Sequence, residues 1–243
     1  MQELVWLVNN DANTVKSQEM PLTERVPFME FDDPDLGGIT SSILKTKAPP
    51  RYIKTHLPAR MFQKALDDNQ IKIIYVMRNP KDTLVSFYHF YKMNAMLGKF
   101  KDPFSKFLEM FYNKELTFGD WFDHVLGYWR LRDRPNVLFV KYEDMKKDPF
   151  QAVKAVANFC NASITDEQCQ IVANHTSFDA MKKNPATNYQ HWEKKGLFDS
   201  AQTNYMRKGT PGDWKNYFTV AEDEKFNEYF NSKMEGTGLH VDF

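Results

Sequence analysis

The sequence predicts an α/β fold in which helices flank a parallel sheet. Short apolar runs rich in β-branched residues, typical of buried strands, occur at 71–77 and 136–142, and RYIKTH at 51–56 also indicates a strand. Amphipathic stretches with helical spacing separate these runs, and strands that alternate with helices are typical of a parallel sheet with right-handed crossovers. With 243 residues, the chain is long enough to form one such domain over 1–243.

Apolar residues at helical spacing predict the remaining elements. The predicted helices are Met1–Val8, Ala59–Leu66, a helix that begins at Pro80, Asp102–Tyr112, Asp120–Arg132, Pro149–Phe159, Asp166–His175 and Ala221–Met234. Residues 9–50 are rich in Pro, Gly and acidic residues, and we expect a loop there with a short helix near Ile39–Lys45.

The stretch MRNPKDTLVSFYHFY at 77–91 predicts a strand–turn–helix unit. Asn79 is a good N-cap, Pro80 fits the first helical turn, and Asp82 completes a pattern like a capping box. Arg78 therefore lies at the carboxyl end of a strand, beside free N–H groups and the positive pole of a helix, where anions bind. An arginine paired with a nearby carboxylate is the alternative.

Two further stretches carry candidate chemistry. In YIKTHLP, an extended chain places Lys54 and His56 on one face, where histidine can accept a proton and lysine can neutralise developing charge. In YMRKGTPGDW, Arg207 and Lys208 precede Gly209, which suits a flexible basic loop whose backbone approaches a phosphate closely. A solvated strand end and a solvated turn are the respective alternatives.

Composition excludes several classes of function. Lys+Arg and Asp+Glu both total 32, so no overall field favours nucleic acid or an anionic membrane. Aromatic residues make up 15%, which fits a large core or an aromatic-lined pocket for an apolar ligand. The two cysteines form no metal-ligand pattern, and no apolar stretch is long enough to cross a bilayer. We expect a soluble cytoplasmic protein that binds no metal.

Together these stretches resemble the cytosolic sulfotransferases. The resemblance runs through essentially the whole chain, because RVPFMEF, KTHLP, RNPKDTLVSFYHFY, YEDM, HTSFDAMKKNP, MRKGTPGDWK and KNYFTVAEDE occur in the expected order. The resemblance implies a three-layer parallel sheet like that of P-loop NTPases. It also implies transfer of a sulfuryl group from 3′-phosphoadenosine 5′-phosphosulfate (PAPS) to a hydroxyl or amine of a small apolar acceptor, without a metal.

The resemblance also implies roles for individual residues. His56 matches the general base, and Lys54 matches the residue that stabilises charge on the donor phosphate. The positions that match the donor site are Arg78 and Ser86 for the 3′-phosphate, Arg207, Lys208 and Gly209 for the loop that closes over it, and Tyr142, Thr176 and Phe178 for adenosine. Phe28, Phe31 and Phe90 match the acceptor wall, which His89 borders. Lys215, Thr219, Val220 and Glu224 match the segment through which family members form homodimers.

The sequence departs from the family pattern at its beginning. Family members start with a strand and a loop resembling Y-P-K-S-G-T-T-W that wraps the 5′-phosphosulfate, whereas MQELVWLV matches the helix after that loop. We therefore expect a fragment, an alternative start or a mis-predicted gene start of a longer sulfotransferase, whose sheet lacks the first strand. The alternative function is a catalytically impaired fragment that binds the nucleotide product or only dimerises. A kinase of related fold is disfavoured, because the chain has no Walker lysine.

Overall fold

The computed structural model describes residues 1–31 and 48–243, so the helix predicted near Ile39–Lys45 lies outside the described residues. The described α-helices are α1 Gln2–Val8, α2 Leu22–Arg25, α3 Gln63–Asp67, α4 Pro80–Met93, α5 Phe104–Tyr112, α6 Trp121–Trp129, α7 Tyr142–Lys147, α8 Pro149–Cys160, α9 Asp166–His175, α10 Phe178–Lys183, α11 Gln190–Lys194 and α12 Val220–Met234. The two strands are β1 Ile73–Met77 and β2 Val137–Lys141. None of the helices in the described ranges is long and apolar enough to cross a bilayer.

Most predicted helices are confirmed to within a few residues, and α9 has the predicted bounds. The segment predicted as one helix over Ala59–Leu66 begins as a 3-10 turn, Ala59–Phe62, and continues as α3. Four short helices were not predicted: α2, α7, α10 and α11. They have between four and six residues, too few to show a helical period in the sequence.

The two strands pair in parallel, with Ile73 opposite Val137 and Met77 opposite Lys141. This pairing confirms the α/β fold with a parallel sheet. The strands are half-buried over most of their length, however, so the expectation that both strands are buried is wrong.

The strand predicted at 51–56 is also wrong. Lys54 forms an isolated parallel bridge with Phe28, through hydrogen bonds from Lys54 N to Pro27 O (2.8 Å) and from Met29 N to Lys54 O (2.9 Å). A strand needs a continuing ladder of backbone hydrogen bonds, and the described part of the chain supplies only this one bridge.

The chain divides into two compact units. The helical unit comprises Met1–Leu57 and Lys147–Phe198, and the sheet unit comprises Pro58–Lys146 and Asp199–Phe243. The single domain expected over 1–243 stays a prediction. In the helical unit, α1 packs against α8 and α9, and these two helices pack against each other.

The sheet unit holds most of the aromatic core. Side chains from α4, α5, α6 and α12 pack together with Met77 at the end of β1. Phe107 and Phe226 are completely buried there, and Phe111 stacks on Phe226 with ring centroids 5.9 Å apart. Much of the high aromatic content therefore forms core.

Candidate active site

The turn between β1 and α4 carries Arg78. The Asn79 side chain accepts a hydrogen bond from Asp82 N at 2.8 Å, and Pro80 occupies the first turn, which confirms the predicted helix start. The reciprocal half of a capping box is absent: Asn79 N donates instead to Glu143 Oε1 at 2.9 Å. The Asp82 carboxylate is thereby left to bind other groups.

Asp82 anchors the basic loop Arg207–Trp214. Its carboxylate is fully buried and accepts hydrogen bonds from Gly212 N at 2.7 Å and from Trp214 N at 3.0 Å. The same carboxylate lies 3.6 Å from Arg78 Nη2. One acidic side chain therefore ties the loop to the turn that holds Arg78.

Arg78 lies beside this loop. Its Nη2 donates to Thr210 O at 3.1 Å, and its guanidinium lies 4.8 Å from the centre of the Tyr142 ring. The Tyr142 hydroxyl donates to Gly209 O at 3.0 Å. Arg78 Nε is buried and has no acceptor among the described residues. Both interpretations of the sequence therefore apply to Arg78: its Nη2 lies near the Asp82 carboxylate, and its Nε can still donate a hydrogen bond to an anion.

Arg207 and Lys208 are both held by Asp213. Arg207 Nη2 lies 2.6 Å from Asp213 Oδ2, and Lys208 forms an ion pair with Oδ1. Burial alone would raise the pKa of Asp213, but hydrogen bonds from Lys208, Asn216 and Arg207 lower it to about 2. Gly209 has a φ of 68°, in the left-handed region that glycine adopts without strain.

Three more predicted site residues lie on α4. At about 100° per residue, Asp82, Ser86 and His89 fall on one face of the helix, and Phe90 follows. Ser86 is exposed, whereas His89 is half-buried and its Nε2 lies 2.6 Å from the Tyr217 hydroxyl. Burial, with the charges of Arg207 and Lys92, lowers the pKa of His89 to about 4, so its ring is neutral at pH 7.

The helical unit holds Lys54 and His56. Lys54 Nζ lies 4.7 Å from the centre of the Phe28 ring, and the His56 ring meets Phe28 edge-on at 5.4 Å between centroids. Phe31 packs on Phe28 at 4.6 Å. Burial lowers the pKa of Lys54 to about 8, against the opposing charge of Glu30. The structure thus gathers both predicted catalytic residues and two residues of the predicted acceptor wall.

The predicted adenosine residues of the helical unit lie at the junction of α9 and α10. Thr176 follows the last residue of α9 and donates its hydroxyl to Val172 O at 2.8 Å. Phe178 is the first residue of α10, is half-buried, and has Lys182 Nζ at 5.9 Å from its ring centre. Their positions are therefore fixed by helix ends.

The predicted dimer segment lies at the start of α12. Thr219 caps the helix in a capping box with Glu222. Val220 is 76% exposed, a high value for an apolar side chain, and Lys215 and Glu224 are also exposed. The segment presents one apolar side chain among polar ones.

The cationic groups decide what this arrangement can bind. In residues 1–31 and 48–243, no three His, Cys, Asp or Glu side chains converge so as to hold a metal ion. Arg78, Arg207 and Lys208 gather around one loop of the sheet unit, where the unpaired Arg78 Nε and the glycine backbone suit a phosphate group.

Sequence reasoning missed the acids that hold these cations. Glu30 accepts a hydrogen bond from His56 N, and Asp213 binds Arg207. Asp82 lies near Arg78 and also binds the loop through Gly212 N, a role that the sequence did not predict. Tyr217, the partner of His89, was also missed. Short spacing was the available signal for two of them: Asp82 lies four residues after Arg78, and Asp213 lies five residues after Lys208.

Comparison with known proteins identifies the family. The family model described as Sulfotransferase domain matches residues 1–238. Human Sulfotransferase 1C2 is 39% identical over 244 residues, which cover 99% of this chain and 80% of that protein. Mouse Sulfotransferase 1B1 is 37% identical over 239 residues, covering 98% of this chain and 79% of that protein.

Comparison with solved structures supports the same family. Retinol dehydratase in complex with androsterone and the inactive cofactor PAP superposes with a TM-score of 0.89 at 27% identity, covering 99% of this chain and 78% of that one. Mouse sulfotransferase SULT7A1 complexed with PAP gives 0.70 at 36% identity, covering 82% and 71%. The chain therefore belongs to the sulfotransferase family of enzymes, as its motifs predicted.

Proposed function

We propose that this chain transfers a sulfuryl group from PAPS to the hydroxyl of a small apolar phenol or alcohol, or to an amine. The observation that carries the proposal is the grouping of Arg78, Tyr142 and the basic residues Arg207 and Lys208 around one loop. Relatives of known structure hold PAP together with androsterone or retinol, both small apolar alcohols, which supports the same donor and class of acceptor here.

Donor binding is assigned mainly to the sheet unit. Arg78 and Ser86 bind the 3′-phosphate, and Arg207, Lys208 and Gly209 close over it. The buried Arg78 Nε supports this assignment, because a buried donor without an acceptor is costly and a phosphate oxygen would satisfy it. Tyr142, Thr176 and Phe178 line the adenosine site.

His56 and Lys54 carry the chemistry. The acceptor oxygen attacks sulfur, the bond from sulfur to the bridging oxygen of the 5′-phosphate breaks, and its electron pair leaves on the phosphate. The acceptor proton passes to His56, and the Lys54 ammonium neutralises charge that develops on the leaving phosphate. With a pKa of about 8, Lys54 is mostly protonated at pH 7. Such a loose, in-line transfer depends on positioning and positive charge.

Aromatic side chains form the acceptor site. Phe28, Phe31 and Phe90 line its wall, and His89, neutral at pH 7, borders it. We also propose that the protein acts in the cytoplasm as a homodimer formed through Lys215, Thr219, Val220 and Glu224. Neither a metal, nor a nucleic acid, nor a membrane takes part in the proposed reaction.

The test combines turnover with binding. The purified chain is incubated with PAPS and a simple phenol, and both PAP and the sulfated phenol are quantified by mass spectrometry. We expect transfer, and His56→Ala should lower kcat by about 10²–10⁴ while leaving the Kd for PAP unchanged in calorimetry. His240→Ala, at an exposed site near the C-terminus, is the matched control and should behave like the wild type.

Two results contradict the proposal. Binding of PAP without turnover would support the impaired nucleotide-binding alternative. Failure to bind PAP and to transfer sulfate would overturn the assigned donor site as well.

A further inference from the structure

We propose that Glu30 is a positioning residue for sulfuryl transfer: its carboxylate fixes the backbone that carries His56 and keeps the neighbouring Lys54 charged. The inference rests on the proposed function and adds a residue to which no role was assigned from the sequence. It stands on the hydrogen bonds that Glu30 accepts from Thr55 and His56 in the helical unit.

The first step is mechanical. Glu30 Oε1 accepts hydrogen bonds from the Thr55 hydroxyl at 2.8 Å and from His56 N. The Thr55 hydroxyl oxygen in turn accepts from Leu57 N at 3.0 Å. One carboxylate oxygen therefore binds the backbone of the proposed base directly and reaches the next residue through a single side chain.

These bonds replace a missing strand ladder. The backbone pairing of this segment is limited, among the described residues, to the bridge between Lys54 and Phe28. Immediately after Lys54 the chain leaves that bridge, and the Glu30 side chain supplies the acceptor that a neighbouring strand would otherwise provide.

The second step is electrostatic. Glu30 Oε2 is buried and receives no hydrogen bond from the described residues, so the charge of the carboxylate is only partly satisfied by its two donors. Lys54 forms the isolated backbone bridge with Phe28, and its Nζ lies over the Phe28 ring. Burial disfavours its charged form, and Glu30 is the charged group in the described part of the chain that opposes this effect. His56, two residues along, is the other titratable group of the segment.

The sign of the pH effect follows. Lys54 is active as the ammonium, so turnover falls as pH rises through its pKa of about 8. Removing the Glu30 charge lowers that pKa further, and the fall in turnover then begins at lower pH. A purely structural acid would instead lower kcat by the same factor at every pH.

Glu30→Gln and Thr55→Val separate the two steps. Glutamine keeps an oxygen that can accept from Thr55 and His56 but removes the charge, so we expect the upper limb of the kcat–pH profile to move to lower pH than in the wild type. Thr55→Val keeps the charge and removes both hydrogen bonds of the Thr55 hydroxyl, the one to Glu30 and the one from Leu57 N, so its kcat should fall several-fold with the limb in place. Glu19→Gln, at an exposed site, is the control and should match the wild type.

A direct measurement makes the test independent of turnover. In protein labelled with ¹³C at lysine Cε, the Lys54 resonance, assigned through Lys54→Arg, is titrated in the wild type and in Glu30→Gln. We expect a lower midpoint in the variant. An unchanged Lys54 midpoint together with an unshifted limb overturns the inference, while wild-type transfer would leave the proposed function intact.

Other outcomes are equally decisive. If the wild type transfers no sulfate, the proposed function fails, and the titration still decides whether Glu30 supports the Lys54 charge. If Glu30→Gln does not fold, Glu30→Asp replaces it, because it keeps the charge and withdraws the oxygen from His56 N. Its kcat should then fall with the limb unmoved, and an unchanged kcat would overturn the positioning role.

Discussion

Replacing Asp82 by asparagine tests whether one buried charge holds the basic loop in place. The Asp82 carboxylate accepts from Gly212 N at 2.7 Å, from Trp214 N at 3.0 Å and from Asn79 Nδ2 at 2.9 Å. Asparagine has one acceptor oxygen where aspartate has two. Its NH₂ group would face a backbone N–H group, so at least one buried donor would lose its partner.

The magnitude follows from these bonds. A hydrogen bond to a charged acceptor contributes about 1.5–3 kcal/mol, and a buried donor left unsatisfied costs about 1–3 kcal/mol. Since the Asp82 side chain has no exposed surface, solvent does not compensate for the loss. We expect Asp82→Asn to lower the free energy of unfolding by about 2–4 kcal/mol. Because the loop also carries Arg207 and Lys208, we expect about a tenfold loss of PAP affinity.

The assay pairs urea unfolding with calorimetry of PAP binding. Asp133→Asn removes the same charge from an exposed side chain and should change the free energy of unfolding by less than about 0.5 kcal/mol. Wild-type values for Asp82→Asn in both measurements would refute the anchoring role. A stability loss with unchanged PAP affinity would show that the loop position does not govern donor binding.

Two further predictions concern other parts of the chain. Arg25→Met leaves Glu3 buried without the arginine that lies 2.6 Å away, so urea unfolding should show a loss of about 3–5 kcal/mol, part of which the double variant with Glu3→Gln recovers. The absence of any recovery would contradict this account. Val220→Asp places a charge at the exposed apolar position of the predicted dimer segment, so we expect sedimentation velocity to show a monomer for this variant and a dimer for the wild type and for Val220→Ile. Identical sedimentation of all three would contradict the assigned interface.

Local signals in the sequence predicted most of the fold. Asn79 and Pro80 marked the start of α4 because capping depends on neighbours in the sequence, and both occupy the expected positions. The failed strand at 51–56 shows the limit of such signals. Its alternating pattern describes an extended chain, but a strand also needs a partner, which no local pattern contains.

The contacts of Asp82 with the basic loop were beyond local reasoning for the same cause. Asp82 and Gly212 are 130 positions apart, so their hydrogen bond depends on how α4 and the loop pack. The pattern that indicated a capping box placed Asp82 correctly on the helix. It also predicted that Asp82 would accept a hydrogen bond from Asn79 N, but this N–H group donates to Glu143 instead. Sequence spacing therefore predicted the cations and the helix start, whereas the hydrogen bonds from Gly212 and Trp214 to Asp82 depend on tertiary packing.

These acids explain how a chain with no net charge can be suited to a polyanion. Arg207 and Lys208 share Asp213, Arg78 approaches Asp82, and each acid is itself bound to backbone or side-chain donors. An acid that already accepts several hydrogen bonds fixes a cation in place without exhausting its donors, as the free Arg78 Nε illustrates. A phosphate could then add to a cation that is already oriented, with little further loss of side-chain freedom. Neutral composition therefore excludes a general electrostatic field and remains compatible with a local, preorganised anion site.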